Sequence, residues 1–363
     1  MSTTTQGQLG EQLGRYQLIE LLGIGGMAEV FKARCTGPGG FQRTVVLKRI
    51  LPAHGRDQGF VRMFVSEAKI LGMLNHPNVV QVYDFGESDG TLFLVLEYVD
   101  GTSLAEAMST LCRVGRSMPP LVAARIAHEV CRALDYVHGL QDGDGAPLHV
   151  VHRDVTPSNI MFTTMGAVKL LDFGVAKYRA SQALSQQGTL KGKPAYLAPE
   201  TLERGTVDRR GDLFALGVVL HELLTLDHLF EADHMAITYH RILQMPVPPP
   251  SRVRPDVPRA LDAIVMKALE RDPENRYQSA RAMAIDLDAL LAAESARADE
   301  VIAFARDLTS LRQSRPAAAA ISLSQPPYSR GTTAATIRNT RALSERFRTS
   351  RVGRFLFGPQ RES

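Results

Sequence analysis

From Arg15 to about Val99 the chain alternates short β-branched and apolar runs with turns built on Gly and Asp. Thr44-Val45-Val46-Leu47 and Leu92-Phe93-Leu94-Val95-Leu96 are the clearest of these runs, and they predict strands. One helix interrupts the pattern, because Phe60, Phe64, Glu67, Leu71 and Leu74 recur at steps of four and three. That stripe carries a carboxylate, Glu67, on its apolar side. From about Ser103 onward helices dominate. Val122, Ile126, Val130 and Leu134 step by four along one of them, and the unbroken run Leu213–Leu220 predicts a helix buried on most sides. Gln141–Pro147, with its Asp-Gly pairs, predicts an exposed turn. A strand-rich small lobe followed by a helical large lobe is α+β in class and bilobal. The expected division is a flexible N-terminus over 1–14, a small lobe over 15–99, a large lobe over 100–294 and a basic, largely disordered tail over 295–363.

Composition narrows the function classes. With 44% apolar and 22% charged residues among 363, the chain has enough apolar material for a soluble folded core. Cys35, Cys112 and Cys131 form no CxxC pair and no zinc spacing, so they read as free thiols in a reducing cytosol. The N-terminus MSTTTQGQLGEQLG lacks the pattern of a signal peptide, and no stretch approaches the roughly 18 apolar residues of a membrane span. The expected location is therefore cytoplasmic, without a transmembrane segment. The net charge of +4 gathers at the C-terminus, where ten Arg stand against two Glu between Arg312 and Ser363. Specific nucleic-acid binding by the folded part is not expected. The tail reads first as a solvated segment, and second as a dock for an acidic partner or an anionic surface.

Three constellations carry chemistry. Gly23-Ile24-Gly25-Gly26-Met27-Ala28-Glu29-Val30 lies between two strand-like runs, where glycines let backbone N–H groups approach phosphate oxygens. A helix directly after it would suggest a dinucleotide fold, but Val30-Phe31-Lys32-Ala33 continues as strand. Lys48 closes the run Val45-Val46-Leu47, and Glu67 on the inward stripe of the next helix needs a cation to offset its burial. Each residue explains the other. Finally His152-Arg153-Asp154-Val155-Thr156-Pro157-Ser158-Asn159, Asp172-Phe173-Gly174 and Ala198-Pro199-Glu200 follow in order. Asp154 can serve as a base, and Asn159 with Asp172 supplies hard oxygen ligands of the kind magnesium takes.

The chain from roughly Arg15 to Leu291 resembles the bacterial branch of the eukaryotic-like serine/threonine protein kinase family. Besides those motifs it matches His76-Pro77-Asn78-Val79-Val80, Asp212-Leu213-Phe214-Ala215-Leu216-Gly217 and Arg271-Asp272-Pro273-Glu274-Asn275-Arg276-Tyr277. The last run fits the family's late arginine, which pairs with Glu200. The resemblance implies ATP and Mg²⁺, protein substrates, and phosphoryl transfer driven by positioning and charge. It implies that Leu22, Val46, Leu96, Glu97, Val99 and Asp100 join the glycine loop around the nucleotide, with Glu97-Tyr98-Val99 as hinge and Leu96 as gatekeeper. Lys48, locked by Glu67, holds the α- and β-phosphates, Asn159 and Asp172 hold the metal, and Asp154 takes the substrate proton. Thr189 falls where an activating phosphate would pair with Arg153.

Four positions depart from the family pattern. Ala28 replaces the last loop glycine, and Val46 replaces the alanine above the adenine ring. Thr156 stands where the family has a lysine, and Lys193 where it has a threonine: either Lys193 brings the displaced charge to the site while Thr156 takes over the hydroxyl hydrogen bond, or Lys193 faces solvent and the enzyme works slowly without that contact. The rival readings are a pseudokinase that binds nucleotide as a signalling scaffold and a small-molecule phosphotransferase. The first is disfavoured by the full set Lys48, Glu67, Asp154, Asn159 and Asp172, the second by Ala198-Pro199-Glu200 and its arginine. The physiological substrate, the activating signal and homodimer formation stay open.

Overall fold

A computed structural model describes residues 10–25, 28–51, 55, 57–173, 194–205, 207–294 and 298–313. Its first half is an antiparallel sheet of six strands, β1 (Gln12–Leu13), β2 (Tyr16–Ile24), β3 (Ala28–Thr36), β4 (Gln42–Ile50), β5 (Val82–Ser88) and β6 (Thr91–Glu97). Their order is β1-β2-β3-β4-β6-β5, so β6 and not β5 lies against β4.

Register explains why the strand sequences look as they do. Val30 pairs with Lys48 and Lys48 with Leu94, while Lys32 pairs with Val46 and Val46 with Leu96. Side chains alternate across a strand, so Val30, Val46, Lys48, Leu94 and Leu96 share one face. The opposite face carries Phe31, Ala33, Val45, Leu47, Phe93 and Val95, which close with Leu13, Tyr16 and Leu18 into a small core of their own. Leu94 and Leu96 instead join the large core that continues into the second half of the chain. One sheet thus serves two apolar bodies.

Helix α1 (Gln58–Gly72) starts where the Asp57 side chain accepts the Gly59 amide at 2.7 Å. It buries Phe64, Glu67, Ala68 and Leu71, as its periodicity predicts, and Leu74 is buried just past its end. Beyond β6, Tyr98–Asp100 runs without regular structure into β7 (Gly101–Ser103), which pairs with β8 (Ile160–Thr163), itself paired with β9 (Val168–Leu170). A Cβ on Gly101 would stand 2.5 Å from the Phe162 carbonyl oxygen, so only glycine lets β7 lie this close to β8.

The second half is helical: α2 (Leu104–Val114), α3 (Pro120–His138), α4 (Pro199–Arg204), α5 (Arg209–Thr225), α6 (Met235–Gln244), α7 (Arg259–Ala268) and α8 (Ala280–Ala293). Ser103 and Glu106 cap α2 reciprocally. Every residue of α5 from Asp212 to Leu224 is buried, in agreement with its unbroken apolar run. The α+β, two-lobed class expected from the sequence holds.

Among the described residues two backbone links join the halves, beside side-chain contacts such as the Asn75 amide on the Tyr136 hydroxyl at 2.9 Å. One link is the chain itself through Tyr98–Asp100. The other is a seam in which Leu170 donates to the Asn78 carbonyl at 2.8 Å and accepts from Val80 at 3.0 Å. Asn78 Nδ2 adds a bond to the Val168 carbonyl at 3.0 Å.

One boundary is corrected. The sequence places a disordered tail from 295, but Ala298–Gln313 is a helix, α9, with Val301, Phe304, Ala305 and Leu308 buried. Asp299 and Glu300 in its first turn and Arg312 in its last suit the helix dipole. Its apolar stripe is narrow, and the charged residues around it hide it in the composition. Residues 314–363 lie outside the described residues, and among those described no helix is long and apolar enough to cross a membrane.

Candidate active site

The inner sheet face, α1 and the loops before β8 and after β9 meet around Lys48. Its Nζ stands 2.8 Å from Glu67 Oε1 and 3.2 Å from Asp172 Oδ1. Burial alone would lower the pKa of this ammonium, but Asp172 and Glu67 outweigh it and hold the pKa well above the usual lysine range. Lys48 is therefore a fixed cation at neutral pH. Glu67 is almost fully buried, so removing Lys48 would take the cation from a buried carboxylate, at a cost of up to about 3–5 kcal/mol.

Asp212, in the first turn of α5, fixes the segment that carries Asp154. Its Oδ2 accepts the His152 amide and its Oδ1 the Arg153 amide, both at 2.8 Å, while His138 Nε2 bonds to Oδ2 at 2.8 Å. Burial would raise the Asp212 pKa, yet the bond and charge of His138 and the backbone donors hold it below the ordinary value. Arg153 adopts φ +67 and Asp172 φ +28, both left-handed and unusual for residues with side chains.

His152 links this segment to the one after β9. Its Nε2 donates to the Leu171 carbonyl at 2.8 Å, its Nδ1 accepts the Asp154 amide at 3.3 Å, and its ring lies 4.5 Å from that of Phe173. Burial pushes the His152 pKa down, which suits the neutral ring that this donor and acceptor pattern requires. From the other side Leu171 donates to the Asn159 carbonyl at 2.8 Å. The peptide units next to Asp172 are thus clamped by His152 and Asn159 together.

Asn159 turns its amide onto Asp154, with Nδ2 2.9 Å from the Asp154 carbonyl and bonded to its carboxylate as well. This leaves the amide oxygen as the acceptor end of Asn159, beside a segment that ends in the Asp172 carboxylate. Two hard oxygens in this setting fit a small divalent cation.

The remaining candidates fall on one side of this cluster. Val46 and Leu96 pair across β4 and β6, and Glu97, Val99 and Asp100 follow on the strand's exit. Leu22, Gly23 and Ile24 end β2, Ala28, Glu29 and Val30 open β3, and Gly25 donates to the Ala28 carbonyl at 2.8 Å across the turn. Ala28 and Glu29 are buried. Thr156 is buried too, with its carbonyl accepting the Asn159 amide at 3.0 Å. Gly26, Met27, Lys193, Thr189 and the rest of 174–193 lie outside the described residues.

Beyond residue 193, Tyr196 donates to the buried Glu222 at 2.7 Å. The late arginine is Arg276, bidentate on Glu200 at 2.9 and 3.0 Å. Arg271 instead donates to the carbonyls of Ile242 and Met245.

Two features escape sequence reasoning. Lys169 lies 2.8 Å from Glu97 Oε2, tying the hinge side chain to β9. Between Val168 and Leu170 it looks like an outward strand lysine, and nothing local marks its partner. Asp212 is visible in a motif, but its work on two backbone amides some sixty residues away is a tertiary fact.

Comparison with known proteins points one way. A family model described as the protein kinase domain matches residues 16–286. The tyrosine-protein kinase MasK of Myxococcus xanthus is 40% identical over 278 residues, 77% of this chain and 43% of that protein. The serine/threonine-protein kinase PknH of Mycobacterium bovis is 38% identical over 331 residues, 90% of this chain and 52% of that one. The chain thus spans about half the length of the curated relatives it matches. Among solved structures, the PknI kinase domain of Mycobacterium tuberculosis is similar with a TM-score of 0.57 and 29% identity, over 77% of this chain and 98% of that one.

Proposed function

This chain belongs to the protein kinase family, and we propose that it transfers the γ-phosphoryl group of ATP to serine and threonine hydroxyls of proteins. The observation that carries the reading is the convergence of Lys48, Glu67 and Asp172 within 3.2 Å, beside the segment that holds Asp154 and Asn159. A pseudokinase that only binds nucleotide could use Lys48, Glu67, Asn159 and Asp172, but would have no use for Asp154.

Each residue then has a task. Lys48 presents its ammonium to the α- and β-phosphates under the β2–β3 turn, with Glu67 preventing it from swinging away. Val46 and Leu96 flank the adenine, the backbone of Glu97–Val99 meets its edge, and Asp100 lies on the ribose side. Asn159 and Asp172 would hold Mg²⁺, which neutralises developing phosphate charge when bound. Asp154 accepts the proton of the substrate hydroxyl as its oxygen bonds to the γ-phosphorus and the bond to the β–γ bridging oxygen breaks, leaving ADP. Asn159 holds the Asp154 carboxylate through its amide.

A second acceptor is favoured by one observation, the tyrosine-kinase name of the Myxococcus xanthus relative. Arg153, from its strained position beside Asp154, suits pairing with a phosphate on Thr189.

The test is incubation of the purified chain with labelled ATP and magnesium, followed by identification of the labelled amino acids. Serine and threonine label is expected, with Lys48→Met and Asp154→Asn each reducing incorporation by on the order of a thousandfold. Label at the wild-type rate in Asp154→Asn would overturn the reading.

A further inference from the structure

Helix α9 lies beyond residue 286, where the family match ends, yet it is built into the lobe that carries the site. Phe304 packs on Phe162 with ring centroids 6.4 Å apart, and Val301, Ala305 and Leu308 are buried alongside. The β8–β9 turn meets the same helix, since a Cβ on Gly166 would stand 3.1 Å from Ile302 Cγ1. Its second half is fastened to α2 and the turn after it, with Arg116 on Asp307 at 2.6 Å and Arg113 on the Leu311 carbonyl at 3.3 Å.

The last turn reaches β7. Arg312 Nη1 donates to the Gly101 carbonyl at 3.2 Å and to Thr102 Oγ1 at 3.4 Å, and its other nitrogen is 3.6 Å from Glu106.

These contacts fall on the two strands that matter most for positioning. β7 follows directly on Asp100, the residue after the hinge, and β8 follows directly on Asn159. Gly101 pairs with Thr163 and Thr102 with Phe162, so a shift between these strands changes where the adenine side stands relative to Asp154 and Asn159. The ladder is only three residues long on the β7 side, and short strands are weak without support from packing. Phe304 grips it from β8 and Arg312 from β7.

We propose that α9 is a brace of the nucleotide site, with Arg312 and Phe304 as positioning residues that set the hinge against the catalytic loop. The proposal rests on the reading that ATP lies at the hinge. Neither residue touches the reacting groups, so their loss acts on nucleotide affinity more than on turnover.

The experiment uses the full chain carrying Arg312→Ala, Arg312→Lys, Phe304→Ala or Phe304→Leu, with a chain ended after Pro316 as control. KM for ATP, kcat and the rise in melting temperature on adding ATP are measured for each. Arg312→Ala is expected to raise KM for ATP about three- to tenfold with kcat within about twofold of wild type. Arg312→Lys should recover much of the loss, because an ammonium can still donate to the Gly101 carbonyl. Phe304→Ala should shift KM in the same direction, Phe304→Leu should stay near wild type, and the control should match wild type. If Phe304→Ala does not fold, the half-exposed Arg312 decides. Wild-type KM and ATP stabilisation in Arg312→Ala would overturn the brace while leaving the kinase reading intact. A wild-type chain that ATP does not stabilise would remove both, and the two failures are told apart by that wild-type measurement.

Discussion

Asp212 Oδ1 accepts the backbone amide of Arg153 at 2.8 Å, and Arg153 is held at φ +67. A left-handed residue with a side chain costs roughly 1–2 kcal/mol, so this conformation persists only because something fixes it. The fixing group is a buried carboxylate on a different element, and the residue it strains precedes the proposed base.

Asp212→Ala should therefore lower kcat by about ten- to a hundredfold and reduce stability as well, since the amides of His152 and Arg153 lose their acceptor at roughly 1–3 kcal/mol each. Asp212→Asn keeps one acceptor oxygen and should fall between. Steady-state kinetics with urea unfolding of the same proteins measures both effects. Unchanged kcat in Asp212→Ala would show that the loop holds its shape without this carboxylate.

Acid should weaken the site through His152. Its folded pKa is lowered by burial, so below about pH 6.5 the unfolded chain takes up a proton that the folded chain refuses. Stability consequently falls as pH drops below that value, until the folded pKa is reached. Protonation would set an N–H on Nδ1 against the amide of Asp154, despite the nearby carboxylates of Asp212, Asp154 and Asp172. His76 and His221 are lowered by burial too, so they share the effect. His152→Asn should show a smaller loss of urea midpoint between pH 7.5 and 5.5 than wild type. An equal loss in the two proteins would place the titration elsewhere.

The exchange of Thr156 and Lys193 is the departure from the family with the sharpest consequence. If Lys193 supplies the cation that Thr156 cannot, Lys193→Thr should slow kcat by about one to three orders of magnitude. Thr156→Lys should also be harmful, since it adds a second ammonium at a buried position. The double variant restores the common arrangement and should recover much of the rate, so the two changes are strongly non-additive. Four kcat values decide it, and additive losses would mean that the two side chains do not share the site.

What could be read from the chain and what could not divides along physical lines. Strands β4 and β6 were visible as unbroken β-branched and apolar runs because both faces of the sheet are covered there, and helix α1 because its periodicity is the direct image of one buried face. The meeting of Lys48 and Glu67 was visible because a carboxylate on an apolar stripe needs a cation, and Lys48 closes the apolar strand run that precedes that helix. Helix α9 was missed because Val301, Phe304, Ala305 and Leu308 form a thin stripe among charged residues, next to an arginine-rich segment that dominated the composition. Lys169 and Asp212 were opaque for another reason. Their partners are set by how the β7–β8–β9 sheet and α5 meet, and no local pattern encodes that meeting.

The double junction between the halves also limits how the molecule can move. Two pins define an axle: one is the passage after Glu97, the other the seam at Val80 and Leu170, and Lys169 on Glu97 runs between them. Sliding or twisting the small half would tear the seam, whereas rocking about the axle would spare it. Displacement then grows with distance from the axle, so a swing that carries Lys48 away from Asp172 can leave the Val80–Leu170 bond whole. Of the possible motions, rocking about that line is the one that spares both backbone links.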